Sequence, residues 1–100
     1  MNATTDGNVV ADLTAFQRDL LRALAKADDR KGIALKTDLA DYYGEEINHS
    51  RLYQNLDRLV DRGLVEKCRR DRRTNEYSLT DAARDALDRR NEWVAGKREM

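Results

Sequence analysis

The chain has 100 residues, 38% of them charged and 40% hydrophobic. One domain is the expectation at this length, with room for one core but not for a large catalytic cleft beside it. Lys plus Arg is 19 and Asp plus Glu is 19, which excludes a bulk polycation but not a local basic patch.

There is one cysteine, Cys68, and one histidine, His49. An internal disulfide and a His/Cys metal cluster are therefore both excluded within one chain. No apolar run approaches the roughly 18 residues that a membrane span needs, and no signal-peptide pattern opens the chain. The expected location is cytoplasmic, at the nucleoid. No Gly-rich phosphate loop or supported nucleophile–base pair is present, so neither an enzyme nor a cofactor is expected. Arg outnumbers Lys by 14 to 5 and Asp outnumbers Glu by 13 to 6, a bias that suits a GC-rich, salt-adapted source.

Residues 1–12 are small and polar apart from Val9 and Val10, and read as a flexible tail. Thr14 opens the first helix, with Gln17 in the capping-box position. Phe16, Leu20, Leu21 and Leu24 recur at helical spacing behind Leu13. Asp28 to Gly32 reads as a turn. Ile33 to Tyr43 is the second helix, with a short extended piece at its start, and Gly44 ends it. Asn48 caps a third helix running to about Arg62. Its apolar stripe is Leu52, Leu56, Leu59 and Val60, and Gly63 stops it. Leu64 to Arg70 and Glu76 to Leu79 form a β-hairpin across the turn Asp71 to Thr74. Thr80 caps a last helix from Asp81 to about Trp93. The expected fold is therefore mainly α with a small β-hairpin, α+β, in the order α-α-α-β-β-α.

The neutral total hides a segregation of charge. Residues 1–47 carry a net −3, whereas residues 67–73 carry Lys67, Arg69, Arg70, Arg72 and Arg73 against Asp71 alone. A charged hairpin tip by itself is usually a solvated turn. Four arginines placed just after a helix–turn–helix pattern suit a different role, gripping phosphates bidentately. With the leucines of the third helix in the core, its opposite face carries Arg51, Gln54, Asn55 and Arg58. Asn48, His49 and Ser50 stand at its N-terminal end. Arg suits guanine, Asn and Gln suit adenine, and Ser suits bases or phosphate in a major groove about 12 Å wide. His49 reads as a cap-region or phosphate contact. Tyr53, on the flank, is either a phosphate or thymine-methyl contact or a half-buried core tyrosine. Asp57 and Asp61 would repel phosphate, so contacts are expected from the first two turns of the helix.

The stretch from Asn48 to Val65 resembles the recognition helix and exit of PadR-type winged helix-turn-helix transcriptional regulators. Tyr53 sits mid-helix, leucines follow at helical spacing, and Gly63-Leu64-Val65 starts the wing. Glu76 to Thr80 is similar to that family's second wing strand. The resemblance spans about residues 13–95 and suits the small subtype with a single C-terminal helix, including archaeal members. Gln54 stands where the family usually places proline, and Arg51 and Asn55 also depart from its commonest pattern. The resemblance implies a winged-helix DNA-binding domain over 13–80, double-stranded DNA as partner, transcriptional regulation, repression more readily than activation, and a homodimer. Some members of that family bind aromatic ligands at the dimer interface.

The last helix, 81–100, is longer than a lone winged helix needs. Leu13, Phe16 and Leu20 of the first helix with Ala83, Ala86, Leu87, Trp93 and Val94 of the last are the expected dimerisation residues. The alternative is a monomer whose last helix folds back on its own core. Cys68 is expected to pack under the wing as a small hydrophobe. A winged helix can also serve as a protein-binding module without DNA, and that alternative predicts apolar residues on the outward face of helix 48–62.

Overall fold

The computed structural model describes residues 7–96. Its elements are a 3-10 turn Val9–Asp12, α1 (Ala15–Leu24), β1 (Arg30–Lys31), α2 (Gly32–Tyr43), α3 (His49–Asp61), β2 (Val65–Arg69), β3 (Asn75–Leu79) and α4 (Asp81–Val94). The expected helices and hairpin are all present, and the local reasons for them hold. Thr14 and Gln17 form a complete capping box at the start of α1. Asn48 and Thr80 accept backbone N–H groups at the starts of α3 and α4. Gly44 and Gly63 adopt φ of 73° and 77°, a left-handed conformation that an L side chain resists, where α2 and α3 end.

The core is a leucine cluster. Leu20, Leu21 and Leu24 of α1, Leu35 of α2, and Leu52, Leu56 and Leu59 of α3 are fully buried. Truncating any of them to Ala would cost roughly 2–5 kcal/mol. Tyr43 packs its ring 6.0 Å from that of Phe16 and donates its hydroxyl to Asp19. Burial and that carboxylate push its pKa up to about 12, so it stays a neutral donor. Asp38 accepts from Lys26 at 2.9 Å and from Arg30 at 3.0 Å, which ties α2 to the end of α1 and to β1. Those hydrogen bonds hold its carboxyl below the usual range.

Three features differ from the expectations. Residues 7–12 are not all tail: Val10 is fully buried, and Asn8 donates to the Ala86 carbonyl at 2.8 Å, pinning the 3-10 turn to α4. Residues 1–6 lie outside the described residues. Second, the sheet has three strands in the order β1-β3-β2, all antiparallel. β1 lies where a turn was expected, and pairs Arg30 with Tyr77 and Lys31 with Glu76. A two-residue strand has no periodicity to read; only its distant partner defines it. Third, Cys68 is exposed. It stands opposite Glu76 on the face of the hairpin turned away from Val65 and Tyr77, which face the core.

Gly32 marks a close approach. A Cβ built there would lie 2.7 Å from Tyr53 Cε1 and closer still to the Tyr53 hydroxyl. The ring of Tyr53 from α3 thus rests on the first turn of α2. Gly32→Ala should overpack this contact and lower stability by about 1–3 kcal/mol. Chemical denaturation of the two proteins measures it. The effect should shrink when Tyr53 is also changed to Ala, and an unchanged effect would mean the contact is not what demands glycine.

Candidate nucleic-acid interface

Burial of Leu52, Leu56 and Leu59 fixes the rotation of α3. At ~100° per residue, Ser50 and Gln54 point almost directly away from the core, and Arg58 lies about 50° to one side of that direction. All three are exposed, and their side chains make no hydrogen bond or ion pair among the described residues. The two flanks are occupied differently. On one flank His49 stacks its ring 4.6 Å from Tyr53, which is half-buried against Gly32. Tyr53 is therefore partly a packing residue, the second of the two readings open for it. On the other flank Arg51 lies 3.9 Å over the Phe16 ring, and Asn55 accepts from Gln17 Nε2 at 3.0 Å while donating to the Arg51 carbonyl at 2.8 Å. Asn48 uses its side chain to accept from Arg51 N at 2.9 Å. The polar residues expected to face outward are thus split between open side chains and side chains already engaged.

The hairpin is positioned at its base and at its tip. Thr80 donates its hydroxyl to the Gly63 carbonyl at 2.8 Å and its N–H to the Leu64 carbonyl at 3.1 Å, holding the end of β3 against the exit of α3. Lys67 reaches Asp57 of α3 at 3.6 Å. This pairing draws the Asp57 carboxylate towards the hairpin. At the tip, Asp71 Oδ1 accepts from the backbone N–H of Arg73 and of Thr74, each at 2.9 Å. These bonds hold its carboxyl below the usual range, with the Arg73 N–H the largest cause and Lys31 adding a small contribution. The single acid in the basic run is therefore the turn's own fastener. Arg69, Arg72 and Arg73 are exposed and carry no side-chain partner among the described residues; Arg70 lies 3.8 Å from Glu76.

His49 and Tyr53 of α3, with Arg73, Asn75 and Tyr77 of the hairpin, line one cleft of about 260 Å3. The start of α3 and the hairpin tip therefore share one side of the molecule. Lys31 belongs with them. It was not singled out from sequence, because its place beside the hairpin comes only from the pairing of β1 with β3. This side offers a row of neutral and cationic donors beside a cluster of guanidinium groups, which is chemistry for a polyanion with readable edges.

The residues expected to make a dimer contact are mostly spent within one chain. Leu13, Phe16, Leu20, Ala83, Ala86 and Leu87 are all 5% exposed or less. A side chain already buried in its own core has no surface left to give a partner. Trp93 and Val94 differ, at 74% and 62% exposed. Trp93 borders a groove of about 380 Å3 with Asn8, Ala11, Arg89 and Arg90.

Three helices with a helix-turn-helix pair, a three-stranded sheet with an arginine-tipped hairpin and a closing helix define a winged helix-turn-helix protein. The profile of the transcriptional regulator PadR-like family matches residues 20–89, and the chain belongs to that family. It is similar to RosR of Halobacterium salinarum in the complex hsRosR-S1, with 52% identity and a TM-score of 0.83 over 87% of this chain and 77% of that one. RosR crystals grown from NaBr give 53% identity and a TM-score of 0.81 over 85% and 76%. A mutant of Escherichia coli MarR complexed with operator DNA gives 27% identity and a TM-score of 0.71 over 84% and 57%. A Halobacterium relative is consistent with an archaeal origin and with the Arg and Asp bias. No curated protein sequence matches the chain. No described helix is long and apolar enough to cross a membrane.

Asp71→Ala should loosen the tip without unfolding the domain. The amide protons of Arg73 and Thr74 should exchange far faster while those of α3 keep their protection. Wild-type protein should show the same local loss as pH falls through the lowered pKa of Asp71, because protonation removes the charged acceptor. Protection at Arg73 and Thr74 that survives both treatments would rule out this fastener.

Proposed function

We propose that this chain is a sequence-specific double-stranded DNA-binding regulator of transcription that acts as a homodimer. Residues 13–80 carry the DNA-contacting unit and the helix from residue 81 onward supplies the dimer contact. α3 enters the major groove, and Lys67, Arg69, Arg70, Arg72 and Arg73 of the wing grip the backbone. The observation that carries the reading is a shared cleft: His49 and Tyr53 on one flank of α3 line it together with Arg73, Asn75 and Tyr77 of the hairpin, which sets the arginine tip beside the N-terminal half of α3. The E. coli neighbour bound to operator DNA supports it. A protein-binding role would call for apolar side chains at positions 50, 54 and 58, where Ser50, Gln54 and Arg58 stand. Repression is the simplest action, since a protein seated on a site excludes others from it. Exposed Trp93 and Val94 support pairing through the end of α4. Two-fold symmetry would then set two copies of α3 about 34 Å apart, one turn of DNA.

Binding of random duplex DNA across a salt series tests the wing. The variant with Arg69, Arg70, Arg72 and Arg73 changed to Ala should flatten the log–log slope by about 0.9 for each phosphate no longer neutralised. An identical slope in the folded variant would refute the wing's role. Trp93→Glu should convert a dimer into a monomer in sedimentation equilibrium at micromolar protein, with circular dichroism unchanged. A monomeric wild type, or a variant that stays dimeric, would move the interface elsewhere.

A further inference from the structure

We infer that Asn55 is a positioning residue of the recognition helix and not a base reader, and that base discrimination falls to Ser50, Gln54 and Arg58. The inference rests on the DNA-binding reading above. Asn55 is a natural candidate for reading adenine, which needs the amide to donate and accept at a base edge together. Here both ends of the amide are engaged inside the protein. Oδ1 accepts from Gln17 Nε2 at 3.0 Å and Nδ2 donates to the Arg51 carbonyl at 2.8 Å.

Gln17 has no freedom to release it. Its Oε1 accepts the Thr14 N–H at 3.1 Å, and its own N–H donates to Thr14 Oγ1 at 3.1 Å. The capping box of α1 therefore fixes which way the Gln17 amide faces, and that orientation presents Nε2 to α3. Gln17 is only 8% exposed, so Nε2 would be poorly solvated if Asn55 turned towards DNA. Arg51, on the same flank, lies over the Phe16 ring one residue along α1. Two adjacent residues of α1 thus hold two residues one turn apart on α3. What they hold is the angle at which α3 meets the groove. Ser50, Gln54 and Arg58 form the row at i, i+4 and i+8 that this angle presents, and their polar ends are free.

The test is a selection of binding sites from a randomised duplex by the full chain, followed by titration of each variant against the selected site and random DNA. Thermal unfolding of each variant checks the fold. Gln17→Met keeps the volume, removes the bond to Asn55 together with the cap to the Thr14 N–H, and lies on a different helix from the readers. Asn55→Ala and Gln17→Met should each weaken the selected site about tenfold while leaving random-DNA affinity and its salt slope nearly unchanged. Both should keep the wild-type order of base preferences, and the double variant should be no worse than either single one. Gln54→Ala and Arg58→Ala should each abolish preference at individual base positions. A simple loss of folded protein would lower both affinities together and would overturn the positioning role. Loss of one base preference in Asn55→Ala but not in Gln17→Met would make Asn55 a reader and overturn the inference. Wild type that binds no duplex at low salt would defeat the DNA-binding reading itself, a different result from binding with the wrong pattern of preferences.

Discussion

The leucines of α3 can be buried on one side only. Once Leu52, Leu56 and Leu59 meet the leucines of α1 and α2, the rotation of the helix is set, and with it the identity of every side chain that looks outward. The rest of the proposed interface follows from that single burial. Val65 and Tyr77 extend the same core beneath the hairpin, so the wing cannot leave the side of the molecule on which α3 emerges. The polar contacts add precision to what the leucines decide. Gln17 and Asn55 settle the flank towards α1, Gly32 and Tyr53 the flank towards α2, and Thr80 the step from wing to α4.

Charge is arranged around this frame with little waste. Three of the acids near the arginines have structural partners: Asp71 ties the tip, Asp57 meets Lys67 and Glu76 lies beside Arg70. Ion pairs this exposed contribute little to stability, about 0–1 kcal/mol each. Their effect is local, since they draw negative charge into the hairpin's own contacts and leave Arg69, Arg72 and Arg73 free. A chain neutral in total can thus present a strongly positive edge. Net charge predicts solubility and colloidal behaviour; the arrangement of charge bears on binding.

Much of the fold was legible because its signals are local. The capping box Thr14–Gln17, the caps Asn48 and Thr80, the glycines 44 and 63 and the leucine spacing each depend on residues within a turn of one another. The site was legible in outline for the same reason, since helical spacing assigns a face. It was blurred at its margins. Spacing put Arg51 and Asn55 among the outward residues, yet their partners, Phe16 and Gln17, lie more than thirty positions away. Apolar spacing likewise marked Leu13, Phe16, Leu20, Ala83, Ala86 and Leu87 as surfaces wanting cover, without saying that they cover one another.

The sequence by itself determined the helices, their limits, the hairpin and the basic charge of its tip, because propensity, capping and periodicity act over a few residues. Only the tertiary structure decided that Arg30 and Lys31 are a strand, that Val10 closes the core, that Cys68 stands in the open and that Gly32 is a packing glycine. It also decided which polar residues of α3 are bound to the protein and which are left for a ligand. Each of these depends on a pairing or a contact between segments far apart in the chain. A contact of that kind has no pattern in either segment alone and exists only once the core has brought the two together.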